Sequence, residues 1–322
     1  MKTKNLYLVS FCILIFFLFT EYQLSAQKTE HSFNDSIIHC NYIIESGMLN
    51  GDFKSFYPDG NPKASGKFLN NNRVGEWIVW DTTGRIIMKR NYRNNFDFNE
   101  IYPDKEQRYS MLRDKDCKNS IQLFDVKEPM VVYYQRIWRY FPIENNEWMF
   151  KDNYLRNLLV KLIFDSQIQA YKAVNDEFTK PFTVEEFKKT FDLKNIEIIG
   201  YKIKETFFID SVRKISESRI IGICPVAVNK TDKLKSFDLC WLYYPDIRVG
   251  LTTEKINNPD PFIRSLDDVF IFRYFSSIIY KEDNVYDKEI KDYKSGKAEI
   301  DKEAERIMLK MLETEHDYWI SL

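Results

Sequence analysis

Residues 196–249 read IEIIGYKIKETFFIDSVRKISESRIIGICPVAVNKTDKLKSFDLCWLYYPDIRV. Three segments of this stretch, 196–209, 218–228 and 237–249, are rich in β-branched and aromatic residues, the side chains that suit a pleated, half-buried surface. Three strands are expected. Asn229 to Lys235 joins the second to the third, with Asp232 at its centre, so an antiparallel register about that residue sets Cys224 opposite Cys240. Side chains directly opposite lie about 4.5–5.5 Å apart at Cβ, longer than a relaxed disulfide prefers. Either a strained disulfide or two packed thiols fits that spacing.

Helices surround these strands in the sequence. Leu155, Leu158, Leu159, Leu162 and Ile163 follow a 3.6-residue period after a cap at Asp152 or Asn153. Thr183-Val184-Glu185-Glu186 is a capping box, in which threonine and glutamate each satisfy an orphan amide at a helix start. Further helices are expected from about Leu266 to Ile279 and from about Lys297 to Asp317. The last carries Ile300, Ala304, Ile307, Met308, Met311 and Leu312 on one face. The fold class is therefore α+β, with mixed helices and antiparallel strands over 131–322.

Upstream, residues 51–95 repeat with a period of 24. Gly51-Asp52-Phe53 falls on Gly75-Glu76-Trp77, Phe56 on Trp80, Gly60 on Gly84, Phe68 on Tyr92, and Asn70-Asn71 on Asn94-Asn95. Each unit is expected to form a hairpin turning at Asp59-Gly60 or Thr83-Gly84, because glycine after a polar residue supplies positive φ. A lone hairpin is marginal in water, so this antiparallel module, 27–100, should lean on the domain that follows it. Trp77 and Trp80 either fill its core or meet a partner. The polar, irregular residues 101–130 are expected to be a linker.

The chain opens with Met-Lys-Thr-Lys, an apolar run from Leu6 to Phe19, and Leu24-Ser25-Ala26, the pattern of a secretory signal peptide, 1–26. The run is shorter than the roughly 20 residues of a membrane span, and no later run is long enough, so no span is expected after cleavage. Removal of those 26 residues from 322 leaves 296, with 45 basic and 47 acidic side chains. That near-neutral balance argues against a nucleic-acid partner. Four cysteines remain, Cys40, Cys117, Cys224 and Cys240, without a Cys-x-x-Cys, and three histidines in all. Neither a metal site nor a cofactor is expected.

Motifs that carry chemistry are wanting. Gly60 to Lys67 resembles a phosphate loop, but five residues separate its glycines and Phe68 stands where a magnesium-binding hydroxyl belongs. No Gly-x-Ser-x-Gly, His-Glu-x-x-His or dinucleotide fingerprint occurs. Glu185-Glu186 and Asp267-Asp268 are adjacent in first turns of expected helices, where charge complements the dipole. His316, among Glu313, Glu315 and Asp317, is expected to interact with the last helix's C-terminus, and an envelope hydrolase acting through Glu315, His316 and Asp317 is the enzymatic alternative.

The repeat pattern Gly-[Asp/Glu]-[Phe/Trp]-x-x-[Phe/Trp]-x-x-x-Gly resembles the MORN-repeat variant of secreted bacterial and antitoxin-like proteins. Downstream, the ordered blocks Arg136-Ile137-Trp138-Arg139, Ala170-Tyr171, Asp176-Glu177-Phe178-Thr179, Arg219 to Pro225, Trp241 to Arg248, Asn257-Asn258-Pro259, Phe275-Ser276-Ser277, Asn284-Val285-Tyr286-Asp287 and Glu315 to Trp319 resemble the GldN (PorN) family. That resemblance implies a non-enzymatic, periplasmic subunit of the type IX secretion and gliding motility apparatus of Bacteroidota. It also implies assembly, as a hetero-oligomer, with a GldK or PorK outer-membrane lipoprotein and other periplasmic secretion-system subunits. Two departures, Pro142 to Glu147 and the fused repeat, suggest a divergent paralogue. Tyr243, Tyr244, Asp246 and Arg248 are the expected interface residues, since Tyr and Arg dominate interface energetics, although Arg248 could equally pair internally with Asp246. The competing function is a soluble periplasmic module whose repeats capture a peptide, glycan or envelope protein.

Overall fold

A computed structural model describes residues 28–93, 96–97, 113–114, 120–121, 123, 126–147, 154–253, 255–256 and 263–321. The expected signal peptide, most of the expected linker, Asn94-Asn95, the cap at Asp152 or Asn153 and Asn257-Asn258-Pro259 lie outside the described residues. Two antiparallel sheets make the framework. The first holds β1 (Thr29–Asn34), β2 (His39–Glu45), β3 (Met48–Leu49), β4 (Gly51–Phe56), β5 (Pro62–Leu69), β6 (Asn72–Trp80), β7 (Ile86–Arg93) and β8 (Phe96–Asp97) in an order that follows the chain, with β3 paired only to β2.

The 24-residue period of the sequence is visible bond by bond. Tyr57 N–H donates to Asn61 O and Gly60 N–H to Tyr57 O, while Asp81 N–H donates to Arg85 O and Gly84 N–H to Asp81 O. Gly60 and Gly84 take φ of 87° and 82°, the left-handed region a side chain resists. The equivalent pairs Phe53/Trp77 and Phe68/Tyr92 all point to one buried face. Trp77 is fully buried, its ring centroid 5.6 Å from that of Phe53 and 5.0 Å from that of Phe68. Gly66 lies beneath it, and a Cβ there would fall 2.1 Å from the indole.

β9 (Arg113–Asp114) and β10 (Ser120–Ile121) pair within the segment expected to be a linker, and Ile121 is buried in the main core, so this part of the segment is tied to the body. The second sheet contains β11 (Val131–Pro142), β12 (Ala170–Lys172), β13 (Pro181–Phe182), β14 (Ile196–Asp210), β15 (Ile215–Asn229), β16 (Asp232–Asp238), β17 (Cys240–Tyr243) and β18 (Ile278–Glu282), ordered β13-β12-β17-β15-β14-β11-β18 with β16 on β15. Helices α1 (Tyr154–Phe164), α2 (Val184–Thr190), α3 (Tyr244–Leu251), α4 (Leu266–Ile271) and α5 (Lys297–Ser321) complete the body. The Thr183 capping box forms as read from sequence.

The third expected strand, 237–249, is only partly a strand. It breaks at Leu239, and from Tyr244 the chain turns into α3, with Pro245 in its first turn, where a fixed φ and a missing N–H cost nothing. The helix expected over Leu266–Ile279 ends at Ile271, because Arg273 adopts φ of 52°, and Ile278 opens β18 instead. Of the two arrangements open to Cys224 and Cys240, the packed thiols are the one found, for both are buried and free. Val226 pairs with Asp238 about the expected centre, but Ile223 pairs with Leu242, one residue out of that register. A one-residue slip reverses the face. Cys240 consequently packs in the main core while Cys224 packs with Trp138 and Trp241 on the other side.

α5 lies between the two sheets. Ile307 and Met311 pack on Ile137, Phe207 and Ile209 of the second sheet, whereas Leu309 and Leu312 join Phe53, Phe68, Trp77 and Tyr92 of the first. The helix thereby closes both cores.

Candidate functional site

The ionisable residues of α5 hold the two sheets together. Lys63 Nζ, from β5, donates to Glu313 at 2.5 Å and lies 2.7 Å from Asp317. Arg73, from β6, pairs with Glu315, which also accepts from Ser216 N–H at 3.3 Å. Asn71 of the β5–β6 turn and Asn72 at the start of β6 reinforce the contact: Asn71 Nδ2 donates to the carbonyls of Arg273 and Phe275 at 3.1 and 3.0 Å, and Asn72 Nδ2 donates to that of Phe272 at 2.5 Å. His316 does not interact with a helix C-terminus, since α5 continues to Ser321. It is 1% exposed, against Phe53 and Trp77, with Nδ1 3.6 Å from Glu313 Oε1. Glu315, His316 and Asp317 therefore face the repeat module and do not line an open cleft.

Burial pushes the Glu313 carboxyl up, but the His316 ring and the Lys63 ammonium outweigh it and hold the carboxyl at about 2. Glu315, beside Arg73, and Glu205, between two arginines, are likewise held below the usual carboxylate range against the effect of burial. A depressed folded-state pKa contributes stability that is complete above the unfolded value and fades as pH falls through the folded one. For Glu313 the window runs from 4.5 down to about 2, worth about 3 kcal/mol. Asp267 and Glu305, raised by burial, oppose this trend in part. Urea midpoints should fall steeply from pH 5 toward pH 2.5, and less steeply in Glu313→Gln. A flat profile would contradict the seam's electrostatics.

The expected interface residues divide. Tyr244 is buried, its hydroxyl donating to Asp267 Oδ1 at 2.9 Å. Arg248 pairs with Asp267, not Asp246, through Nε at 3.0 Å and Nη2 at 2.9 Å, and Nη2 also donates to Ile121 O at 2.6 Å. Both serve the core that anchors α3 to α4. Tyr243, edge-on to Phe178, and Asp246 are exposed. Trp77 is core, while Trp80 is half-buried and accepts the Tyr57 hydroxyl at its carbonyl.

A surface not singled out from sequence is the loop after β18. Val285 is 97% and Tyr286 80% exposed. Asn284 Oδ1 accepts from the amides of Tyr286 and Lys288, and its Nδ2 donates to the carbonyls of Glu282 and Lys288. Asp287 takes φ of 53° and pairs with Lys281, whose Nζ lies 4.2 Å from the Trp138 ring centroid. Two bulky side chains thus stand out from a fixed loop. The Asn-Val-Tyr-Asp block was its only trace in the sequence.

Among the described residues no cluster of His, Cys, Asp and Glu is arranged to hold a metal, and no helix is long and apolar enough to cross a membrane. A comparison with curated proteins returns no match. Residues 126–320, well over half of the chain, match the family model of the gliding motility associated protein GldN. The chain therefore belongs to the GldN family of gliding motility and type IX secretion components.

Proposed function

We propose that the chain is a periplasmic assembly subunit of that apparatus, held at the outer membrane by a lipoprotein of the GldK or PorK type. Family membership supplies the apparatus, and the export-type N-terminus is the basis for the compartment. The observation that carries the assembly role is the Val285–Tyr286 loop. Tyrosine is prominent among interface anchors, and a loop already fixed in shape loses little entropy on binding.

Pull-down of the tagged chain from native envelopes tests this. The wild type should bring down an outer-membrane lipoprotein, and Val285→Asp combined with Tyr286→Ala should weaken that association by about thirtyfold or more, with circular dichroism and Tm unchanged. Retention of the lipoprotein by the double variant would remove the loop from the interface. A wild-type chain that recovers no lipoprotein would remove the proposal itself.

A further inference from the structure

A cavity of about 200 Å³ lies where the first sheet, the second sheet and α5 meet. Leu49, Phe68, Phe207, Met308, Met311 and Leu312 give it an apolar wall. Arg139 and Arg273 line it as well, and both donate to Glu205, which is fully buried. Arg139 Nε lies 2.7 Å from one Glu205 oxygen, and Arg273 Nη1 bonds the other. Two guanidiniums thus share one carboxylate, leaving one positive charge uncompensated where water is scarce and charge interactions are strong.

The neighbouring charges do not cancel it. Arg73 is matched by Glu315, Arg219 and Arg213 by Glu217 and Asp210, and Asp267 by Arg248. Arg273 Nη2 is buried and has no hydrogen-bond partner among the described residues, although buried guanidinium donors are ordinarily satisfied. The same residue sits at φ of 52°, held there by the Asn71 amide on its carbonyl, and such backbone strain gathers at ligand sites.

We propose that this cavity binds a small amphipathic carboxylate, whose oxygens accept from Arg273 Nη2 while an apolar body of about six to eight carbon atoms lies along Met308, Met311 and Leu312. A free carboxylic acid and the C-terminus of a polypeptide ending in an aliphatic residue share that chemistry. The apolar wall favours such a body over a fully hydrated anion such as phosphate.

Calorimetric titration of the full mature chain decides the matter, with octanoate, octanol, a leucine-terminated tetrapeptide and its C-terminal amide as probes. Octanoate or the free tetrapeptide should bind saturably at one site, at least about tenfold tighter than its uncharged counterpart. Tighter binding of octanoate assigns the source to a free acid, and tighter binding of the tetrapeptide assigns it to a chain terminus. Arg273→Gln should abolish the preference for the carboxylate while leaving the Arg139–Glu205 pair. Met311→Trp, which fills the cavity and leaves both arginines in place, should abolish binding altogether with Tm maintained, and it carries the test if the first variant fails to fold. Equal binding of charged and uncharged probes, unaltered binding in Met311→Trp, or no binding of either carboxylate would overturn the proposal.

Discussion

Trp77→Ala should lower the unfolding free energy by about 3–5 kcal/mol, the range for a large aromatic removed from a packed core. The indole is fully buried, stacked on Phe53, edge-on to Phe68, and beside His316 of α5. Its Nε1 donates to Lys67 O at 3.1 Å, so the truncation also removes that hydrogen bond. Little can collapse into the gap, because Gly66 beneath it has no side chain and β5 and β6 fix the spacing. Urea denaturation of the purified chain measures the loss, and limited proteolysis should show cleavage within 28–93 before the body is attacked. A loss below about 1 kcal/mol would mean that the aromatic face contributes little to docking the module.

Glu205→Ala should be at least as damaging, about 3–5 kcal/mol, for a different reason. Residues 201 and 203 of β14 belong to the main core and 207 and 209 to the cluster under α5, so Glu205 is a polar bridge between two apolar regions. Without it, Arg139 and Arg273 are left largely desolvated, like-charged and without their carboxylate. A second substitution that removes one of them, Arg273→Met, should therefore restore part of the stability in the Glu205→Ala background while destabilising the wild type. Chemical denaturation of the four proteins in this double-mutant cycle reads the coupling, and additive effects would show that Glu205 and Arg273 act independently.

The sequence made some features plain because one kind of residue recurs at one spacing. Phe53 over Trp77 and Phe68 over Tyr92 disclosed both hairpins, and Ile307, Met308, Met311 and Leu312 disclosed α5. The long pair β14 and β15 followed from unbroken β-branched and aromatic composition. Helix α3 did not, since Tyr244, Ile247 and Val249 are equally at home in a strand, and Pro245 marks a helix start only once the turn before it is known. The slip at Leu239 had no compositional signal, which is why the register that set Cys224 opposite Cys240 was misplaced. Among the site residues, Arg248 was read as an interface group or a partner of the nearby Asp246, because its actual partner Asp267 lies nineteen positions away. Likewise nothing local in Lys63 or Arg73 announces carboxylates on the last helix, because long-range ion pairs leave no periodic trace.

That the final helix completes the core of the first sheet has a bearing on the order in which the protein can mature. Lys63 and Glu313 meet across 250 positions, and such distant contacts form late and slowly. A chain threaded out of a cell from its N-terminus would carry Phe53, Phe68 and Trp77 uncovered until nearly its last residues emerged. During that interval the half-built sheet is an aggregation hazard, one that a holding chaperone would have to shield.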